Sequence, residues 1–216
     1  QMNLNDLLTI THTGDEYEKY LGAVVPPIFM NSLHVFPDFE SYLNFDDYKE
    51  DSFIYGRESN PTAHIMERKI AELEPGTMAL AFASGMAAGT AAVMATCSTG
   101  SHIICLHNTY GPLKDFISRY CAEKFHMTVT FLHGTDLEEL EAAIRPETSL
   151  IILESPATFV FTVVDLEAIA KIAKKHHVTT YIDNSCCSPY YQKPLDFGID
   201  IVMHTMSKYL GGHSDI

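Results

Sequence analysis

Apolar runs of strand length alternate with stretches of helical periodicity over most of the chain. The strand-like runs are Met78 to Phe82, His102 to Leu106, Thr128 to Leu132, Leu150 to Leu153, Val178 to Ile182 and Ile201 to Met203. The helical stretches are Gly85 to Ala95, Leu113 to Cys121, Leu137 to Ile144 and Leu166 to Ala173. Because this alternation is typical of crossover connections, we expect an α/β fold with a mostly parallel sheet and helices on both faces.

The first 60 residues are polar and show no regular periodicity. Asn60-Pro61 then reads as an N-cap followed by proline at the first helical position. The helix that it starts places Met66, Ile70 and Leu73 on one face and is predicted to end before Gly76. We therefore expect two parts, residues 1–60 and residues 61–216.

Composition and charge exclude several classes of protein. The 216 residues are 46% apolar and 19% charged, which is typical of a globular protein with one sizeable core. The formal net charge of −14 argues against nucleic-acid and anionic-membrane partners, which require clustered Lys and Arg. The apolar runs are too short to span a membrane, and the first residues do not have the pattern of a signal peptide. The predicted location is the cytoplasm.

The five cysteines are odd in number and lack the spacing of a disulfide framework, so we expect reduced thiols. Cys97, Cys105 and Cys121 lie in or beside apolar segments and are interpreted as core residues. The adjacent pair Cys186-Cys187 makes a poor chelate, and no second Cys/His pair lies at zinc spacing. We expect no metal site.

A carboxylate and a lysine near the carboxyl end suggest cofactor chemistry. Asp183 closes the strand-like run Val178 to Ile182, and Lys208 lies between the hydroxyl residues Ser207 and Tyr209. Such a lysine can condense with the aldehyde of pyridoxal 5'-phosphate (PLP), and such a carboxylate can keep the pyridine nitrogen protonated. By themselves, the two residues also fit a strand-end turn and a surface lysine.

Three further segments lie where ligands bind in parallel sheets, beyond the carboxyl ends of the strands. Ser84-Gly85-Met86 precedes an Ala-rich helix whose N-terminus suits a phosphate, and Thr205 and Ser207 add hydroxyl donors. Tyr110 follows the strand His102 to Leu106, where its ring could stack on a pyridine and its phenol could protonate a leaving thiolate. A common Ser-Gly turn, solvated loop residues and a core tyrosine are the alternative interpretations.

Several motifs in a fixed order carry a resemblance to a known family. They are Val24-Val25-Pro26-Pro27-Ile28-Phe29, Tyr55-Gly56-Arg57-Glu58-Ser59-Asn60-Pro61-Thr62, Ala83-Ser84-Gly85-Met86-Ala87-Ala88, Asn108-Thr109-Tyr110-Gly111, Glu154-Ser155-Pro156 and Thr205-Met206-Ser207-Lys208. With them the chain resembles the Cys/Met-metabolism PLP enzymes, which include cystathionine γ-synthase, cystathionine γ- and β-lyases, methionine γ-lyase and the O-acylhomoserine sulfhydrylases. The resemblance implies the PLP-dependent transferase fold of type I. It also implies a C-terminal domain beyond Ile216 that carries the arginine for the substrate carboxylate.

The resemblance assigns roles to ten residues. Lys208 would form the Schiff base with PLP, Asp183 would hold the ring nitrogen, and Tyr110 would stack on the ring. The phosphate would be bound by Ser84, Gly85, Met86, Thr205 and Ser207 of one chain and by Tyr55 and Arg57 of its partner. Residues 1–60 would then form an arm that contacts the partner, residues 61–216 the PLP-binding domain, and the active unit would be a homodimer or a dimer of dimers, that is, a homotetramer.

Two positions depart from the family pattern. Where the family has asparagine in a Pro-x-Asn-Pro context, this chain reads Pro156-Ala157-Thr158-Phe159, so the hydrogen bonding of the cofactor ring differs. Pro112 follows Tyr110-Gly111 where methionine γ-lyases have cysteine, which argues against methionine as the preferred substrate.

The implied activity is that of a carbon–sulfur lyase on a small sulfur amino acid such as cystathionine or cysteine, by β- or γ-elimination to ammonia and a 2-oxo acid. The same residues serve γ-replacement on an activated homoserine, which is the first alternative. A cofactor-binding or assembly module without turnover is an alternative of another class. A different PLP reaction, such as transamination, is disfavoured by the motifs as a set.

Overall fold

The computed structural model describes residues 3–45 and 52–214. It divides into two compact units, one that ends at Ala81 and one that begins at Phe82. The boundary expected after residue 60 therefore differs from the structural division. The reason is that the helix Pro61–Leu73 is tied to the chain before it: Thr13 donates to Glu72 (2.7 Å), and Lys69 donates to the carbonyl oxygen of Ile10 (3.0 Å). The role of residues 1–60 as an arm toward a partner stays a prediction.

The first unit contains short helices joined by irregular segments. They are Leu4–His12, the 3₁₀ helix Tyr17–Tyr20, Phe39–Leu43 and Pro61–Leu73. The expected N-cap is confirmed, because the Asn60 side chain accepts from the backbone N–H of Thr62 at 2.9 Å with Pro61 at the first helical position. The first three helices were not predicted, since their short length leaves little periodicity to detect.

The second unit is built on a five-stranded sheet. Its strands are β1 (His102–Leu106), β2 (Thr128–Leu132), β3 (Thr148–Glu154), β4 (Thr179–Asp183) and β5 (Ile201–Met203). The order across the sheet is β2-β1-β3-β4-β5, and all neighbouring pairs are parallel. The predicted strands in this region are confirmed, and β3 extends beyond the predicted run at both ends.

Helices cover both faces of this sheet, as expected for parallel strands. The longer ones are Gly85–Thr96, Leu137–Ala142, Leu166–Lys175 and a continuous helical stretch from Gly111 to Phe125. One core cluster joins Ile104, Ile151 and Ile182 to Leu140 and Ile169. Residues of opposite parity on the same strands form the second cluster, in which Ile103, Ile152 and Tyr181 pack against Val93 and Ile117. The predicted α/β class is confirmed.

The predicted strand Met78 to Phe82 is wrong. Its residues are all apolar, yet Met78, Leu80 and Phe82 are exposed and no described strand pairs with the segment. The N–H of Ala81 donates instead to the Glu67 carboxylate at 2.7 Å. A strand requires a hydrogen-bonded neighbour, which an apolar pattern cannot supply.

The helix predicted from Leu113 to Cys121 is longer and less regular than expected. It begins at Gly111 and contains a π-helical section, Phe116–Cys121, before it ends at Phe125. Among the described residues, no helix combines the length and the apolar character needed to cross a bilayer.

Candidate active site

Two buried carboxyl groups lie side by side where β3 and β4 end. Glu154 is the last residue of β3, Asp183 is the last residue of β4, and the two are register partners. Directly paired residues of neighbouring strands point to the same face, with backbones about 4.8 Å apart. Both side chains are at most 7% exposed. This edge of the sheet therefore concentrates acceptors for a cationic or protonated group.

The start of helix Gly85–Thr96 lies against the segment that follows β5. Ser84 caps the helix by accepting from the N–H of Ala87 at 3.1 Å. A Cβ atom on Gly85 would lie 2.7 Å from the Cβ of Thr205, so only glycine permits this approach. The structure thus brings together the two parts of the predicted phosphate site, Ser84-Gly85-Met86 and Thr205-x-Ser207. Thr205 and Ser207 also share a hydrogen bond of 3.1 Å.

Ser185 connects the carboxylate to the phosphate side. Its N–H donates to Asp183 Oδ1 at 3.0 Å, and its hydroxyl accepts from the N–H of Thr205 at 2.8 Å. Ser185 is buried and was not among the predicted site residues. Its position two residues after Asp183 was the available signal, since an Asp side chain often accepts from the N–H two residues on.

Lys208 and Tyr110 meet at the same edge of the sheet. The Lys208 Nζ lies 5.2 Å from the centroid of the Tyr110 ring, within the range of a cation–π contact. Lys208 is exposed and Tyr110 is 37% exposed, so both groups are accessible to a ligand. The structure therefore places the predicted reactive amine beside the predicted stacking ring.

Glu154 contacts both Tyr110 and Thr158 at this edge of the sheet, and it was not among the predicted site residues. One carboxyl oxygen accepts from the N–H of Tyr110 at 2.8 Å, and the other accepts from the Thr158 hydroxyl. Burial, with the nearby charge of Asp183, raises the pKa of Glu154 above its usual range, while these hydrogen bonds and Lys208 oppose the shift. The motif Glu154-Ser155-Pro156 is visible in the sequence, but the pattern alone does not indicate a role for its glutamate.

Tyr55 and Arg57 belong to the first structural unit. The Arg57 guanidinium carbon lies 4.9 Å from the centroid of the Tyr55 ring, and Arg57 forms an exposed ion pair with Glu58 at 3.5 Å. Tyr55 forms an antiparallel bridge with Leu33. The two predicted phosphate ligands are thus neighbours of each other, and their function toward a partner subunit stays a prediction.

The sequence matches the family described as Cys/Met metabolism PLP-dependent enzyme over residues 8–216. The chain belongs to this family. An L-methionine γ-lyase from Pseudomonas putida is 37% identical over 95% of the chain and 51% of its own length. A cystathionine γ-lyase from Bacillus subtilis is 38% identical over 95% of the chain and 52% of its own length. The chain therefore spans about half the length of these curated relatives.

A solved structure from Campylobacter jejuni confirms the fold of this Cys/Met metabolism family. The protein, assigned as an O-acetylhomoserine (thiol)-lyase, superposes with a TM-score of 0.89 at 28% identity, over 98% of this chain and 52% of its own. It contains N'-pyridoxyl-lysine-5'-monophosphate. A large part of each such relative has no counterpart in the 216 residues.

The residues of this Cys/Met metabolism chain fit PLP. The close approach at Gly85 leaves a helix N-terminus, whose first N–H groups have no acceptor within the helix, beside the hydroxyls of Thr205 and Ser207. That donor set suits a phosphate. Asp183 offers a buried carboxylate for a protonated ring nitrogen, and Lys208 offers an amine for an aldehyde.

Gly85→Ala is expected to weaken PLP binding by about 10-fold to 100-fold. The added Cβ would push the helix start and Thr205 apart, and overpacking of this kind costs roughly 1–3 kcal/mol. The measurement is a PLP titration of the full chain followed by absorbance. Gly111→Ala is the matched control, because Gly111 also begins a helix and a Cβ there meets nothing within 4 Å. Equal effects of the two substitutions would contradict the prediction.

Proposed function

We propose that the protein is a PLP-dependent carbon–sulfur lyase that eliminates a sulfur leaving group from Cβ or Cγ of a small sulfur amino acid. The products are ammonia and a 2-oxo acid. The proposal depends on one observation, the proximity of Lys208 and Tyr110. The Lys208 amine lies 5.2 Å from the centroid of the Tyr110 ring, at the edge of the sheet where Asp183 is buried. Lyases acting on methionine and on cystathionine are among the relatives.

When bound, PLP supplies an aldehyde for amines and an electron-accepting ring. The buried Asp183 carboxylate would hold a protonated ring nitrogen, and the N–H of Ser185 fixes this carboxylate by donating to it at 3.0 Å. The Lys208 amine would hold the aldehyde of the cofactor and would also serve as the base that takes the proton from Cα of the substrate. Lys208 is exposed and its side chain is long and flexible, which suits a base that would act at both Cα and Cβ.

Tyr110 supplies an aromatic face and a proton. Its ring would provide a face for the cofactor ring, and its hydroxyl would donate a proton to the leaving thiolate. The partial exposure of Tyr110 is compatible with contact to a substrate.

The phosphate is held by Ser84, Gly85, Met86, Thr205 and Ser207 of one chain, and by Tyr55 and Arg57 of a partner. Arg57 suits this role because its side chain is 75% exposed and its ion pair with Glu58 is long, at 3.5 Å. A guanidinium can donate two parallel hydrogen bonds to a phosphate. The active unit is then a homodimer, or a dimer of dimers, in which residues 1–60 form the arm to the partner.

A γ-replacement transferase is the second candidate, favoured by the assignment of the Campylobacter jejuni protein as an O-acetylhomoserine (thiol)-lyase. Replacement uses the same residues. The two reactions differ in whether a thiol or water reacts with the group that remains after the leaving group departs.

We infer a cytoplasmic location from the cysteines. All five are free thiols: Cys97, Cys105, Cys121, Cys186 and Cys187.

Lys208→Ala is expected to abolish the covalent attachment of PLP. The full chain is loaded with PLP and reduced with borohydride, and mass spectrometry of the peptides then locates the pyridoxyl group. The wild type should carry it on Lys208, since this amine lies beside Tyr110 at the candidate site. Lys174→Ala removes an exposed lysine elsewhere and should leave the adduct unchanged. An adduct on any lysine other than Lys208 would contradict the assignment.

The lyase assignment is tested with a substrate panel of cystathionine, cysteine, methionine, and O-acetylhomoserine with and without sulfide. Cystathionine or cysteine should yield pyruvate or 2-oxobutyrate without added thiol, and methionine should be the poorer substrate because Pro112 replaces the cysteine of methionine γ-lyases. Lys208→Ala should lower turnover by about 10²-fold to 10⁴-fold, as expected for loss of the general base. Product formation only from O-acetylhomoserine together with sulfide would replace the lyase by the transferase.

Subunit mixing is expected to restore activity to a pair of inactive variants, Arg57→Ala and Lys208→Ala. A mixed dimer has one site with both wild-type residues, so random exchange should give about a quarter of wild-type activity. The matched control mixes Thr205→Ala with Lys208→Ala, whose lesions lie in the same chain's half of the site and leave no intact site. If verified subunit exchange gives no recovery, Arg57 does not act on the partner's site.

A further inference from the structure

Glu154 is a buried carboxyl group that takes no part in the proposed proton transfers. It is 7% exposed at the end of β3 and lies beside Asp183 in the register of the sheet. Burial of a second carboxyl group next to an anion is costly. Because burial of this second carboxyl group is unfavourable, we expect Glu154 to have a specific function in the site.

The two carboxyl oxygens of Glu154 bind two different segments. Oε2 accepts from the backbone N–H of Tyr110, and Oε1 accepts from the Thr158 hydroxyl. These partners are distant in sequence and follow different strands, β1 and β3. Glu154 is therefore the junction between the Tyr110 turn and the loop that contains Thr158.

On the Tyr110 side, the contact fixes the peptide from which the ring projects. Its N–H is held by Glu154 at 2.8 Å, and its carbonyl oxygen accepts from the N–H groups of Leu113 and Lys114, both at 3.2 Å. With both ends of Tyr110 anchored, its side-chain torsions alone decide where the ring lies. That ring is the one that Lys208 approaches.

On the Thr158 side, the contact anchors a turn. The N–H of Ala157 donates to the carbonyl oxygen of Thr162 at 2.9 Å, and the N–H of Val164 donates to the Ser155 hydroxyl at 3.2 Å. Thr158 lies within this turn, and its hydroxyl joins the turn to the end of β3 by donating to Glu154. The hydroxyl of Thr158, where the family has asparagine, thus donates to Glu154.

We propose that Glu154 is a positioning residue, which sets the Tyr110 ring at the candidate PLP site by holding the Tyr110 backbone and the Thr158 turn with its two carboxyl oxygens. The inference rests on the proposed function only as far as PLP binding and is independent of the reaction that follows. Neither contact requires a negative charge, since glutamine can accept from Tyr110 with its oxygen and donate to Thr158 with its amide.

The test compares Glu154→Ala with Glu154→Gln in the full chain loaded with PLP. The readouts are the circular dichroism of the bound cofactor in the visible region, which reports how the ring is held, and the dissociation constant of PLP. Glu154→Ala should lose most of the visible signal and bind PLP about tenfold more weakly, the change expected from loss of one strong hydrogen bond. Glu154→Gln should retain both properties. Tyr110→Ala calibrates the part of the signal that depends on the Tyr110 ring.

Thr158→Val removes one contact with little change in volume and serves as the milder variant if Glu154→Ala does not fold. It should shift the visible signal in the same direction, and adding it to Glu154→Ala should produce no further change, because the contact is already lost. Additive effects, or a glutamine variant that behaves like alanine, would overturn the positioning role. A wild type that binds no PLP would overturn both proposals, whereas an unchanged signal in Glu154→Ala overturns this one alone.

Discussion

The register between β3 and β4 is the constraint on which the candidate site depends. It places Glu154 and Asp183 opposite each other at the last position of each strand, where both side chains are buried. An isolated buried charge costs several kcal/mol, and a hydrogen bond to a charged group returns about 1.5–3 kcal/mol. The surrounding contacts follow from this balance: Ser185 donates to Asp183, while Tyr110 and Thr158 donate to Glu154. A one-residue slip would turn one carboxyl group to the opposite face and would leave its donors without an acceptor.

The order of the strands extends this arrangement to the phosphate side. Because β5 lies next to β4, the segment after β5 brings Thr205 to Ser185, and Ser185 in turn contacts Asp183. Gly85 completes the arrangement, since its missing side chain lets the helix start approach Thr205. The end predicted to hold the cofactor ring and the end predicted to bind the phosphate are therefore connected by a short chain of hydrogen bonds. A ligand with an anionic group at one end and a basic nitrogen at the other matches that geometry.

Sequence patterns predicted the sheet, its main helices and the residues that stand directly after its strands. Each of these depends on local periodicity or on the rule that ligands bind at the carboxyl edge of a parallel sheet. Glu154 was missed because its contacts with Asp183 and Tyr110 join residues far apart in sequence. Ser185 has a local signal two residues after Asp183, but its contact with Thr205 is not visible in the sequence. The wrong strand at Met78 to Phe82 has the same cause, since pairing and not polarity decides whether a strand forms. The roles of Tyr55 and Arg57 stay predictions, because the structure of one chain does not show which residues reach the active site of a partner subunit.

The contact of Thr158 with Glu154 explains what changes when threonine stands where the family has asparagine. An asparagine amide carries two N–H donors, so one of them can donate to Glu154 while the other donates to a ligand. A threonine has a single hydroxyl hydrogen, and in this chain that hydrogen goes to Glu154. The Thr158 oxygen can then only accept from a ligand. Donation to a ring oxygen would require breaking the contact with Glu154, and the Tyr110 turn depends on the same carboxyl group. In this chain the single hydroxyl hydrogen of residue 158 is therefore used in the contact with Glu154, and none is left to donate to a ligand.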